Sequence, residues 1–167
     1  FFDKDRAGEV GIRAMGGEYY RVKGGAPTGW NPAALKPTKR NIAFMKDLIR
    51  LICTLNNNTL DDYQNGLISD AVERLMARED RSFPVSKLIP LILEPDDAET
   101  KRHGIKARLK AWKQGGEYGL VIDNRTDTFD VSNLDVFGVD GTEFLDDKVV
   151  APVASFYLIY RVTMLAD

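Results

Sequence analysis

The sequence predicts an α/β protein, and three features carry that expectation. Short apolar runs of strand type stand near both ends of the chain, in Phe1–Phe2, in Glu18–Lys23 and again between Tyr118 and Val139. Between them, from about Thr38 to Gln114, apolar residues recur at three- and four-residue steps, the period of amphipathic helices. Carboxylates follow directly on the strand runs, Asp3 and Asp5 at the start and Asp140 and Glu143 near the end. Strand tips of open α/β sheets are where ligands usually bind. The expected organisation is sheet residues 1–37, a helical block 38–116 and a return to the sheet at 117–167.

Composition narrows the function classes. A chain of 167 residues, 44% hydrophobic and 29% charged, has enough material for one well-packed core. Lys and Arg number 23 against 25 Asp and Glu, so the net charge of -2 gives no broad attraction to nucleic acid or acidic membrane. Cys53 is alone among Leu51, Ile52 and Leu55, so no disulfide framework exists and a buried apolar role is expected for it. The longest apolar-rich segment, residues 149–165, is interrupted by Pro152, Ser155 and Arg161 and reads as a buried helix rather than a membrane span.

In order along the chain, Phe1–Phe2 reads as a buried strand that surfaces at Asp3 and Asp5. It opens with no preceding turn, helix or Met, which predicts a piece of a longer protein. Residues 7–15 suit a short helix stopped by Gly16-Gly17, and residues 18–23 a short strand. Residues 24–32, dense in Gly and Pro and carrying Trp30, form either a packed surface loop or part of a ligand site. Ile42, Met45, Leu48, Ile49, Ile52 and Leu55 mark a helix that Asn56-Asn57-Asn58 ends.

Thr59-Leu-Asp-Asp62 has the form of a capping box for the next helix, with Asp in place of Glu. Residues 85–93 are expected to be helical but divided by Pro90. One further helix from Asp96-Asp97 turns Ile105, Leu109 and Trp112 inward and a run of Lys and Arg between Lys101 and Lys113 outward. That basic face is either a solvated helix surface or a contact for a partner or nucleic acid. Residues 118–122, 129–131 and 134–139 are strand-type runs, and Asp146-Asp147 caps a last helix from Lys148 with Pro152 in its first turns.

No Walker-type phosphate loop, zinc-spaced Cys/His cluster or GxSxG elbow occurs. His103, the only histidine, lies on the charged side of a helix and is a poor general base or metal ligand. No metal site is expected. From pattern alone, an α/β domain has a polar site at its strand tips.

Five segments in order add a resemblance. Phe2-Asp-Lys-Asp-Arg6, Arg13-Ala-Met-Gly-Gly17, Pro27-Thr-Gly-Trp-Asn-Pro32, Tyr118-Gly-Leu-Val-Ile-Asp-Asn124 with Asp127, and Phe137-Gly-Val-Asp-Gly-Thr-Glu-Phe-Leu-Asp146 resemble the VirB/CagE/TrbE class of type IV secretion ATPases. The resemblance covers nearly the whole chain. It implies the central part of a C-terminal RecA-like P-loop NTPase domain with an inserted all-helical subdomain. The family's phosphate loop then lies before Phe1 and its Walker B acids after Asp167. The parent would be a cytoplasmic hexameric motor, peripheral at the bacterial inner membrane, that uses ATP and Mg²⁺ for pilus assembly, conjugation and substrate translocation with other secretion subunits.

Asp3 matches the second-strand acid that, in related motors, lies near the γ-phosphate and attacking water. Asp5 shares its motif and is the second catalytic candidate. Arg6, Asp140 and Thr142 are the candidates for nucleotide or subunit contact. Where the family has Gly directly after the Arg, Ala7 precedes Gly8 here, and Trp30 stands where the family has Phe. The chain alone, without either main nucleotide motif, is expected to be inactive and to bind no nucleotide. The competing reading is a non-catalytic interaction module whose helical block docks other secretion subunits. DNA contact through Lys101–Lys113 is a weaker third reading, opposed by the net charge.

Overall fold

The computed structural model describes residues 1–165. They divide into two compact units, residues 1–28 with 129–165, and Gly29–Thr128. The helical unit takes in more chain at both ends than the 38–116 span, because the Trp30–Asn31 loop and residues 117–128 pack with its helices. No helix among the described residues is long and apolar enough to cross a membrane.

The first unit holds a three-stranded sheet of order β1-β3-β2, from β1 (Phe2–Asp3), β2 (Glu18–Arg21) and β3 (Phe137–Asp140). Both pairings are parallel. A parallel pair needs a long crossover, and the intervening chain, with the helical unit in it, supplies the one from β2 to β3. Helix α1 (Glu9–Ala14) carries Glu9 in its first turn and Arg13 in its last, and the chain turns at Gly16, whose φ of 78° suits a residue without Cβ. It packs Ile12 on one face of the sheet, against Gly138. Phe1 and Phe2 are 65% and 47% exposed, so β1 is an open edge rather than the buried strand expected, β3 being its only neighbour among the described residues.

The expected strand at 129–131 does not form. Its carbonyls go to side chains instead of a ladder: Phe129 O accepts from Arg161 and Asp130 O from the Tyr20 hydroxyl. Phe129 itself is buried, edge-on to Tyr20 and near Tyr157.

Helices make up the second unit. In α2 (Lys39–Thr54), capped by Thr38, Phe44, Met45, Leu48, Ile49, Ile52 and Cys53 are buried, at about 1.5–3 kcal/mol for each large apolar side chain. Asn56 and Asn57 then adopt left-handed φ of 59° and 62°. The capping box of α3 (Asp62–Met76) is formed by Asp61 and Gln64, two residues later than expected, because Gln64 reaches back to the Asp61 amide. Helix α4 (Pro84–Leu88) continues as a 3-10 turn through Pro90.

The single helix expected after Asp97 is two, α5 (Ala98–His103) and α6 (Ile105–Leu109). Gly104 between them is extended, and Glu94 accepts from the Ile105 and Lys106 amides, so the break has its own cap. Residues 118–122, expected as strand, contain the short helix α7 (Gly119–Ile122). Gly119 lies directly against the backbone of Lys113, and the Tyr118 amide bonds to Ala111 O, leaving no space for a neighbouring strand. The last helix, α8 (Val150–Thr163), begins where Asp147 accepts from the Val149 and Val150 amides. Val153, Ala154, Tyr157 and Leu158 are its buried face, whereas Ile159 is 55% exposed. The last two residues of the expected helix lie outside the described residues.

Candidate functional site

The register of the sheet sets Asp3 opposite Asp140, and Asp140 opposite Arg21, so the C-terminal ends of all three strands form one edge. All the candidates lie along that edge. Asp3 is 4% exposed. Its Oδ2 accepts hydrogen bonds from the Gly8 amide, just before α1, and from the Tyr19 hydroxyl, each at 2.7 Å.

Tyr19 belongs to β2 and Asp3 to β1, with β3 between them. The register sets Tyr19 opposite Gly138 on β3, and a Cβ at 138 would lie 2.8 Å from Tyr19 Cδ2 and would also strike Ile12. Gly138 therefore leaves the opening through which the phenol crosses the central strand. Burial, and then the bond to Asp3, push the Tyr19 phenol well above its ordinary range, so it is a donor at neutral pH.

After Asp3 the chain turns sharply. Asp5 and Arg6 adopt left-handed φ of 66° and 60°, an arrangement that costs roughly 1–3 kcal/mol per residue and must be held by its surroundings. Two contacts hold it. The Asp5 amide donates to Thr142 Oγ1 at 2.9 Å, and Arg6 Nε donates to Asp140 Oδ2 at 2.9 Å. Thr142 in turn donates its hydroxyl to Asp140 Oδ1 at 2.5 Å and its amide at 3.0 Å. Asp140 is 2% exposed. Burial works to raise its pKa, but the Thr142 hydroxyl and amide and the Arg6 guanidinium outweigh it and hold the carboxyl below the usual range.

Glu143 accepts from the Gly24 amide and ties the chain beyond β2 to the same turn. Farther out, Arg21 pairs with Glu9 at 2.7 Å.

The structure thus brings Asp3, Asp5, Arg6, Asp140 and Thr142 together. The Asp5 side chain is exposed, and Arg6 keeps 47% of its side chain exposed. The edge offers fixed carboxylates beside a half-exposed guanidinium. Its acidic Asp3, Asp5, Asp140 and Glu143 outnumber the basic Lys4, Arg6 and Arg21, a poor charge match for a nucleotide triphosphate by itself. Among the described residues no group of acidic, histidine or cysteine side chains is arranged to hold a metal ion.

Sequence reasoning missed Tyr19 and Gly138. A glycine inside a strand run signals a close approach of another group, and Gly138 carries that signal. Trp30, held open above between packing and ligand contact, is buried at 3% exposure. Its loop is locked into the helical unit: Asn124 donates to Trp30 O, and Asn31 donates to the carbonyls of Arg81 and Arg125. Next to it Asp123, 3% exposed, accepts from the amides of Val85, Ser86 and Gln114 and from the Ser86 hydroxyl. It is the remote cap of α4, which has no local one. Two segments that carry the resemblance are thus clasps of the helical unit. His103 is exposed and Cys53 is fully buried, its thiol pushed up to about 12 by that burial.

No family model matches the chain. It is homologous over its whole length to proteins of type IV secretion systems. The PtlC protein of Bordetella pertussis is 32% identical over 173 aligned residues, and the virB4 protein of Brucella abortus 29% over 173. The virB4 protein of Bartonella henselae is 30% identical over 170. The homologues are thus VirB4 and PtlC, and all of the chain aligns with 21% of each of these three proteins, so it spans about a fifth of their length.

Proposed function

We propose that the chain is the middle of the motor domain of a type IV secretion ATPase, a RecA-like fold in which Gly29–Thr128 is an inserted helical subdomain. The observation that supports this most is the cluster at the C-terminal edge of the parallel sheet, built from two segments of the family resemblance that lie more than a hundred residues apart. On this reading Asp3 acts at the site of phosphoryl transfer to water, with Asp5 beside it. Arg6, Asp140 and Thr142 hold the turn and offer a guanidinium to nucleotide or to a neighbouring subunit of a hexamer. ATP and Mg²⁺ belong to the whole protein. On this reading the phosphate cradle comes from other parts of the longer protein. The whole protein then works at the cytoplasmic face of the inner membrane with other secretion subunits, driving pilus assembly and the export of substrates.

The purified 167-residue chain is expected to hydrolyse ATP negligibly. Saturable hydrolysis by this chain, lost on Asp3→Ala, would overturn that assignment. A second reading, an interaction module without catalysis, is favoured by the well-clasped helical unit. Nucleotide titration beside capture of secretion subunits by the same chain separates the two.

A further inference from the structure

The basic run from Lys101 to Lys113 does not behave as one surface. Arg108 turns inward and donates to the carbonyls of Cys53, Thr59 and His103. Lys101 pairs with Asp96 at 2.6 Å. Arg102, Lys106, Lys110 and Lys113 remain, with no ion pair or side-chain hydrogen bond among the described residues, and the three lysines are spaced along one side of α6 and the turn after it. They rim a groove of about 420 Å³ whose apolar lining includes Ile89, Pro95 and Ala107. The remaining acid in its wall, Glu94, is occupied in capping the Ile105 and Lys106 amides. The groove lining therefore carries a net positive charge, four lysines against Glu94 and Asp96, around an apolar floor.

We propose that this groove docks an acidic amphipathic segment of a partner protein, its apolar side on the floor and its carboxylates on Lys106, Lys110 and Lys113. Charge complementarity selects the occupant. Single-stranded nucleic acid is held by aromatic stacking as well as charge, and no aromatic residue lines this groove. A lipid surface takes up protruding apolar residues, whereas this site is concave. The inference rests on the helical unit alone and stands or falls independently of the motor reading.

The test uses the full 167-residue chain and a fluorescent peptide with Leu on one helical face and Glu on the other. Binding should be saturable and should weaken as salt rises from about 0.05 M to about 0.5 M. K110E/K113E in the chain, or Gln for Glu in the peptide, should each weaken it about tenfold. A peptide with Lys in place of Glu should bind the reversed chain better than the original. If the melting temperature of the reversed chain shifts, the Gln peptide on the unaltered chain decides. Absence of saturable binding, equal binding of the Gln peptide, or tighter Lys-dependent binding of an oligonucleotide or an anionic vesicle would overturn the proposal.

Discussion

The Tyr19 hydroxyl donates a 2.7 Å hydrogen bond to Asp3 Oδ2 from the far side of β3, passing over Gly138. The acid with the strongest claim to a role is thereby fixed by a residue of a different strand. Tyr19→Phe removes that donor and leaves a buried carboxylate short of a partner, at a cost of about 1–3 kcal/mol. Tyr20→Phe, on an exposed hydroxyl, should cost less. Urea denaturation of both variants compares them directly.

Gly138→Ala should destabilise the sheet unit by about 1–3 kcal/mol through overpacking, because its Cβ meets Ile12 and Tyr19 at once. Adding Tyr19→Phe to it should cost little more, since the phenol is already displaced. A double-mutant cycle reads this as strong coupling; simple additivity would count against the crossing geometry.

Asp140 gives the sheet unit a defined acid sensitivity. Its folded-state carboxyl lies below the ordinary value of about 3.9. The stability it contributes is complete above that unfolded-state value and is lost as pH falls through the lower folded-state one. Asp140→Asn should therefore weaken the chain at neutral pH and flatten its stability profile below about pH 4. Thermal melts across that range measure both effects.

How legible these features are in the sequence depends on how local they are. The α2 stripe, its start near Thr38 and the acids of the sheet edge follow from spacing and residue type. The helix at Gly119–Ile122 does not, because its apolar, β-branched run reads as strand and only contact with the Lys113 backbone decides otherwise. Asp61 takes the cap from Thr59 because Gln64 lies at the right distance to answer it. The Tyr19–Asp3 link is invisible without the strand order, since it depends on β3 lying between β1 and β2. Asp123 is visible in the family resemblance, but three of its four donors come from Val85 and Ser86, distant in sequence.

Asp123 is the most exacting position in the helical unit. Asp123→Ala leaves the Val85 and Ser86 amides without their acceptor and the Gln114 amide with the Ser86 hydroxyl alone, and should cost on the order of 3 kcal/mol. Hydrogen exchange should show the loss first at the start of α4. Unchanged protection there would mean that the Asp123 cap is not what holds the start of α4.

Whether Asp3 acts in catalysis is tested most directly by ATP hydrolysis in the full-length protein that carries this segment, comparing Asp3 with Asp3→Asn. Circular dichroism and oligomeric state should match before rates are compared. A fall in turnover of about a hundredfold or more is predicted. Turnover at the unaltered rate in the folded Asp3→Asn protein would contradict a catalytic role for the sheet edge.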